Sequence, residues 1–408
     1  MKILILSDDF PPKSSGGAGL VAFMQAKELA NRGHSVSVIT TFQEEDSDEK
    51  IDFEGMTVYR IYTKYNMFFR AYISLVNLGI IFKVKNILKE IKPDVVHAHN
   101  VHQYLSYKVL DYAKQYSKKV FITFHDVMSF HYTKLYPKRV GDKFDYKVSW
   151  IYQLKNFRLQ YNPFRNILIK KYLKNIDQKF AVSGALKDAL EQNGIGGVEV
   201  LHNGLNIHDF KENQERIREF KDKYDLNDKK VLFFSGRISR AKGIDVCINL
   251  IREISKTTQN IRILIAGKEN EYIKSLLNKN ENKSIKDKII FTGWLNRTDV
   301  VSAYYSADLI PVLSLYLDPF PTTNLEAMAT KKSVLGTCYG GTQEIIKDGL
   351  NGFIVNPNNF DFVLEKAKLL IENSSMAIRF GDAGFERLNS MFLIKNQIDR
   401  LEDVYVRS

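Results

Sequence analysis

Short runs of branched apolar residues recur along the chain and alternate with longer stretches of helical period. In the first half they read "KILILS", "SVSVIT", "TVYRIY", "DVVHAHN", "KVFITFHD", "KFAVSG" and "VEVLHNG"; in the second, "VLFFSG", "IRILIAG", "KIIFTGW", "DLIPVL", "SVLGT" and "GFIV". Strands so uniformly apolar, bounded by Gly, Asp and Asn and each followed by a helix-length segment, predict parallel sheets covered on both faces. The pattern therefore predicts an α/β protein of two doubly wound, Rossmann-like domains. The two series part at "VLHNGLNIHDF", beyond which a polar, charge-rich stretch runs from Lys211 to Lys230. This places the domains at 1–205 and 206–388, with a helix in 389–408 returning to the first. Ligands of open parallel sheets bind beyond the carboxyl ends of the strands, so two such sheets predict one shared cleft. The longest apolar run, 71–82 "AYISLVNLGIIF", falls short of the ~20 residues a membrane span needs and is expected to be a buried helix.

Composition narrows the classes. With 408 residues and 44% hydrophobic content, the chain can bury two ordinary cores. Cys247 and Cys338 match neither a disulfide framework nor a four-ligand zinc site, so a reducing compartment is expected. The start "MKILILSDDF" runs straight into a strand pattern, and no signal peptide is expected. A net charge of +12 favours anionic partners without choosing among nucleic acid, lipid headgroups and phosphorylated small molecules.

Candidate chemistry sits where strands end. After "VLFFSG" comes "RISRAKG", which sets Arg237, Arg240 and Lys242 before a helix expected to begin near Gly243. Cations there oppose the helix dipole by roughly 0.3–1 kcal/mol each, a conflict that a bound phosphate removes; the alternative is a solvated basic loop. In "DPFPTTNLEAMA", Asp318 and Glu326 stand eight positions apart. Pro319 and Pro321 make 318–322 a loop feeding a helix near Thr323, so Asp318 faces that helix's positive end. Thr323 and Glu326 also fit a capping box, the purely structural alternative for Glu326. Gly16-Gly17-Ala18-Gly19 follows the first strand and either lets backbone approach a phosphate or sugar or simply starts a helix. The loop is too long for a dinucleotide fingerprint, which disfavours a nicotinamide enzyme.

His97, His99, His102 and His125 cluster at strand ends of the first half; without an accompanying ligand motif they argue weakly for zinc. Asp46-Ser47-Asp48 lies in "QEEDSDEK" and is expected to be a solvated acidic loop.

Taken together, "GGAG", "FHD", "GRISRAKG", "DPFPTTNLEAMA", "GGTQEII" and "DGLNGFIV", in this order, resemble the retaining glycosyltransferases of family four, which have the GT-B fold. The resemblance implies transfer of a sugar, as in a hexosyltransferase, from a nucleotide diphosphate such as a UDP- or GDP-sugar with retained configuration. It implies no cofactor and no metal. Arg237 and Lys242 would neutralise the diphosphate, and neither is expected to carry any structural duty. Glu326 would bind the ribose and Asp318 the donor sugar, with the stretch of Phe320, Pro321, Thr322, Thr323 and Asn324 at the helix start assisting through its free amides. Gly16 and Gly17 would close over the donor, and His125 would stabilise the transition state. The family usually has glutamate where this chain has Asp318, which leaves the donor sugar open.

The family motifs do not cover 129–174, where eleven Lys/Arg face two Asp and eleven aromatic residues are interleaved. Such a segment suits an anionic membrane surface, or single-stranded nucleic acid, or a helical insertion with its aromatics in the core and cations in solvent. In the context of the resemblance no nucleic acid is expected. The favoured expectation is a cytoplasmic enzyme, peripheral on the inner membrane face, acting on a lipid-linked glycan in polysaccharide biosynthesis. The alternatives are a soluble acceptor or a noncatalytic GT-B binding subunit.

Overall fold

The computed structural model describes residues 1–12, 16–44, 47–134, 139–140 and 143–407, with the side chains of 139, 140, 143 and 144 left aside. The chain folds as two units, Met1–Gly204 joined by the segment from Ile394 onward, and Leu205–Leu393.

In the first unit the expected apolar runs are strands: β1 (Lys2–Leu6), β2 (Ser35–Phe42), β4 (Met56–Tyr62), β5 (Val95–Ala98), β6 (Lys119–Phe124), β9 (Gln178–Ala181) and β10 (Val198–Val200). Val, Ile and Leu on both faces of β1 and β5 are buried, as parallel strands under helices require. Between them the chain adds β3 (Glu49–Phe53) and a two-residue ribbon of β7 (Arg139–Val140) and β8 (Lys143–Phe144). The main sheet runs β10-β9-β6-β5-β1-β2-β4-β3, parallel except for β3 at the edge. Part of the acidic stretch expected to be solvated loop is thus ordered against the sheet. Asp48 accepts the Tyr62 amide and pairs with Lys83 at 2.8 Å, and Glu49 opens β3. Asp46 lies outside the described residues.

The last helix, Ile394–Arg407, belongs to this unit. Its apolar stripe of Ile394, Ile398, Leu401 and Tyr405 has helical spacing and packs with Ala22, Ala26 and Leu29 of helix Gly17–Asn31. Arg32 fixes the pair by bonding Asp399 at 2.7 Å and Glu402.

The 71–82 run is not the buried helix expected. A short helix, Arg70–Ile73, stops, and a second, Leu78–Ile91, starts from the Asn77 side chain, which accepts the Gly79 amide. Ile80, Ile81, Val84 and Leu88 are buried, whereas Leu78 and Phe82 face solvent. Mean hydropathy cannot tell the two faces of a helix apart. Among the described residues no single helix is long and apolar enough to cross a membrane.

The second unit holds β11 (Lys230–Ser235), β12 (Ile261–Ala266), β13 (Ile289–Phe291), β14 (Ile310–Val312), β15 (Val334–Thr337) and β16 (Gly352–Val355), in two parallel three-stranded groups. Bonds from Phe233 N to Leu309 O and from Asp308 N to Val231 O bring β11 alongside β14. The resulting order is 13-12-11-14-15-16, so the direction of winding reverses between β11 and β14, the place where such sheets bind ligands.

Candidate active site

The reversal brings the loops leaving β11 and β14 together. Leu315 N bonds Ala241 O at 2.8 Å. Gly243, at φ 80°, ends the basic turn, and a Cβ there would sit 2.2 Å from the Leu313 carbonyl oxygen. Only glycine permits so close an approach in that conformation. Helix Ile244–Ile254 follows.

This contact places Lys242 against Asp318. The ammonium lies 2.6 Å from Oδ2, and over the Tyr316 ring at 5.4 Å from its centre. Ser314 donates its hydroxyl to the same oxygen at 2.8 Å. Burial works against the ammonium, but the Asp318 carboxylate and Tyr316 outweigh it and hold the Lys242 pKa above its ordinary value. The peptide of Asp318 is gripped by the "GG" of "GGTQEII": Gly341 N bonds Asp318 O at 2.9 Å, and a Cβ at Gly340 (φ 66°) would lie 2.0 Å from that oxygen. The expectation that Lys242 has no structural duty is therefore corrected, because it neutralises a buried carboxylate.

The helix after the two prolines is Thr322–Ala329, with Pro321 at its cap and no side-chain capping bond. The capping box does not form. Pro321 supplies the entry conformation, so the helix begins one residue before Thr323 and places Glu326 too far along to reach the cap. The Thr323 hydroxyl donates instead to Ser235 O at the end of β11, at 3.4 Å. Glu326 accepts the buried Tyr304 hydroxyl at 2.6 Å. Burial raises the Glu326 pKa, opposed by that hydrogen bond. Asn324 is buried, its Nδ2 3.5 Å from Thr342 Oγ1. Phe320 packs edge-on against Phe392. Arg237 is exposed, and its side chain makes no hydrogen bond, ion pair or ring contact among the described residues.

Gly16, Gly17 and His125 belong to the first unit. There the winding reverses between β1 and β5, where the buried Asp8 carboxylate accepts the amides of Gln103, Tyr104 and Leu105 at 2.7, 2.9 and 2.7 Å. Gly16 precedes helix Gly17–Asn31, so Gly17, Ala18 and Gly19 form a first helical turn rather than an open loop. His125 directly follows β6, with Nε2 2.8 Å from His99 Nδ1 and the rings stacked. His99 stacks in turn on His97, which bonds Thr123 and Tyr405. Burial pushes His125 down to about 4 and His97 to about 3. Near neutral pH these rings are uncharged, and one proton is shared between His99 and His125. His102 pairs with Asp126 at 3.4 Å. Among the described residues no three His, Cys, Asp or Glu side chains group as a metal would need.

Ser314 and Tyr304 went unrecognised in the sequence. Neither sits in a motif, and Tyr304 reads as one more apolar residue of its helix. His99 was visible, but only as a candidate zinc ligand.

Two family models match the chain, "Glycosyltransferase Family 4" over residues 15–209 and "Glycosyl transferases group 1" over 216–387. The chain belongs to the family-4-type glycosyltransferases, and its architecture is GT-B. An uncharacterised glycosyltransferase of Methanocaldococcus jannaschii is 27% identical over 89% of this chain and 87% of that protein. The lipopolysaccharide 1,2-N-acetylglucosaminetransferase of Salmonella typhimurium is 26% identical over 50% of this chain and 58% of its own. Among solved structures, Anabaena HepE in complex with UDP-glucose superposes with TM-score 0.71 at 18% identity, covering 100% of both chains.

Proposed function

We propose that this glycosyltransferase moves a hexose from a UDP- or GDP-sugar, with retained configuration and without a metal, to a glycan acceptor carried on a lipid at the cytoplasmic membrane face. The observation that carries the reading is the group at the second unit's switch point: exposed Arg237 on the same loop as Lys242, and Lys242 bonded to Asp318. Arg237 and Lys242 supply positive charge for a diphosphate, and Asp318 and Glu326 supply acceptors for sugar and ribose hydroxyls. As the bond from the anomeric carbon to phosphate oxygen breaks, its electron pair stays on the diphosphate. The acceptor hydroxyl attacks from the same face and passes its proton to that phosphate oxygen. His125, being neutral, contributes as a polar group rather than as a cation. The Salmonella relative's activity on lipopolysaccharide supports a lipid-linked acceptor, and the UDP-glucose held by HepE supports the donor class.

The test is a panel of UDP-, GDP- and ADP-sugars, scored for thermal stabilisation and for slow donor hydrolysis. One nucleotide class should stabilise the protein, and Arg237→Ala should lose most of that effect. No stabilisation by any of them would leave a binding subunit without catalysis. Turnover on water-soluble acceptors equal to that on lipid-linked ones would favour the soluble-acceptor reading.

A further inference from the structure

Helices Trp150–Phe157 and Arg165–Leu173 of the first unit turn large apolar side chains to solvent while burying a polar one each. Trp150 is 64% exposed and Leu159, between the helices, 83%, with Ile151, Leu154, Phe164 and Ile167 also turned outward. The buried positions are Gln153 in the first helix and Arg165, Ile169 and Leu173 in the second, so two polar side chains are taken inward. Gln153, 3% exposed, donates to Phe130 O at 2.8 Å. Arg165, 2% exposed, bonds Met128 O and lies against the Tyr132 ring. A helix evolved to face water has the opposite arrangement.

The surface does not end there. Tyr72 donates to Tyr161 O at 3.3 Å, Asn162 to Ala71 O at 3.3 Å, and Arg70 to Tyr132 O. These bonds join the region of the two helices to segment 67–82, where Phe69, Leu78 (69%) and Phe82 (61%) also face solvent. Two chain segments far apart in sequence are thus held side by side, each with large apolar side chains exposed.

Its charge identifies the occupant. Residues 146–176 carry seven Lys/Arg and no Asp or Glu, and residues 61–89 carry five and none. Lys155, Arg158, Lys171 and Lys174 are exposed, while Lys83 is paired with Asp48. Lysines are depleted at the centre of protein interfaces, whereas aromatic and aliphatic side chains ringed by lysine and arginine suit a layer that is apolar below and anionic above. Segments Met67–Ile73 and Leu78–Ile91 together have the length and composition of a span bent by 51°. However, Ile80, Ile81, Val84 and Leu88 are buried in the unit, so this helix is a packed element of the fold with only its outer side open.

We propose that this composite face, the outward sides of Trp150–Phe157, Arg165–Leu173 and segment 67–82, docks in the interfacial layer of an anionic bilayer, with its apolar side chains inserted and its cations on the headgroups. The surface rests on the lipid-linked acceptor reading for its purpose, but its test does not depend on that acceptor.

The full chain is mixed with vesicles of phosphatidylglycerol and phosphatidylcholine, or of phosphatidylcholine alone. Trp294→Phe leaves Trp150 as the one tryptophan. Its emission should shift to the blue with anionic vesicles and stay unchanged with neutral ones. Leu78→Gln with Phe82→Gln, and separately Leu154→Gln with Phe164→Gln, should each weaken co-sedimentation by roughly tenfold or more, because inserted apolar area drives part of the binding. Lys155→Glu with Lys171→Glu should weaken it as well, and salt should do the same. Absence of a Trp150 shift, or wild-type binding by both apolar pairs, overturns the proposal, as does binding of oligonucleotides in place of vesicles. These positions are exposed, so stabilisation by the nucleotide sugar should persist in every variant. Vesicle binding without any nucleotide-sugar binding would keep the surface and sink the proposed function, and the reverse result would sink the surface alone. If a variant fails to fold, the Trp150 shift in the otherwise unaltered chain decides.

Discussion

Lys242 and Asp318 have two duties each. The pair serves the proposed donor site and also closes a buried contact between two loops, so its two members are not interchangeable with Arg237 in their effect on stability. Removing one partner of a buried pair costs about 3–5 kcal/mol. The Lys242 side chain remains 30% exposed, so water compensates in part and a loss of about 2 kcal/mol is expected for Lys242→Ala. For a unit of this size that is a fall in Tm of about 4–8 °C. Arg237→Ala, at an exposed and unpaired side chain, should leave Tm within about 1 °C while sharing the loss of nucleotide-sugar affinity. Adding Asp318→Asn to Lys242→Ala should restore part of the stability without restoring activity. Equal Tm changes for the two single variants would show that the ion pair contributes nothing to the fold. Both residues were legible as candidates because charge at a strand end is hard to explain otherwise. Their bond to each other was not, since 76 positions separate them and no local pattern reports the close approach that Gly243 permits.

At the scale of elements, every expected parallel strand is present, because strands buried on both faces are the least ambiguous signal a chain carries. Elements with two unlike faces were harder. β3 is an edge strand whose alternating "EKIDF" lies next to acidic loop residues, and segments 67–82 and 129–174 hide their orientation in overall composition. In 129–174 the alternative of an insertion with aromatics inside and cations outside is met in part: Phe130 and Tyr132 are buried, yet Trp150 and Phe164 are out and Arg165 is in. Residues 135–138 and 141–142 of that segment lie outside the described residues. Helix Thr322–Ala329 offers the sharpest test of a corrected element. Burial raises the Glu326 pKa, so this group favours folding below the ordinary carboxylate pKa, and that contribution is lost as pH rises through the raised folded value. Glu326→Gln keeps an acceptor for Tyr304 and removes the half-buried charge. It should therefore hold or raise Tm at pH 7 and flatten its pH dependence, while weakening nucleotide binding. A lower Tm at pH 7 would mean that the carboxylate holds the helix after all.

For the whole molecule, the two units answer to different levers. Seven of the eight histidines lie in the first unit, where His97 and His131 are buried and His125 half-buried, with pKa values pushed down to about 3, 4 and 4 for His97, His125 and His131. Unfolding releases them to an ordinary value near ~6.5, where they take up protons that the folded unit refuses. Their contribution to stability is fully present above that value and is lost as pH falls from ~6.5 toward 4, which should destabilise the first unit. The second unit has only His208, which is exposed, and its half-buried Glu326 works in the opposite direction. A nucleotide sugar bound at the Lys242–Asp318 site stabilises that unit by mass action. Calorimetry on the full chain should therefore show a transition that moves down steeply between pH 6.5 and 4 and another that moves up with added UDP- or GDP-sugar. His97→Gln should reduce the acid sensitivity of the first transition alone. If acid and donor instead shift one common transition together, the units unfold as a single cooperative body, and the histidine column then governs the stability of the donor site as well as its own unit.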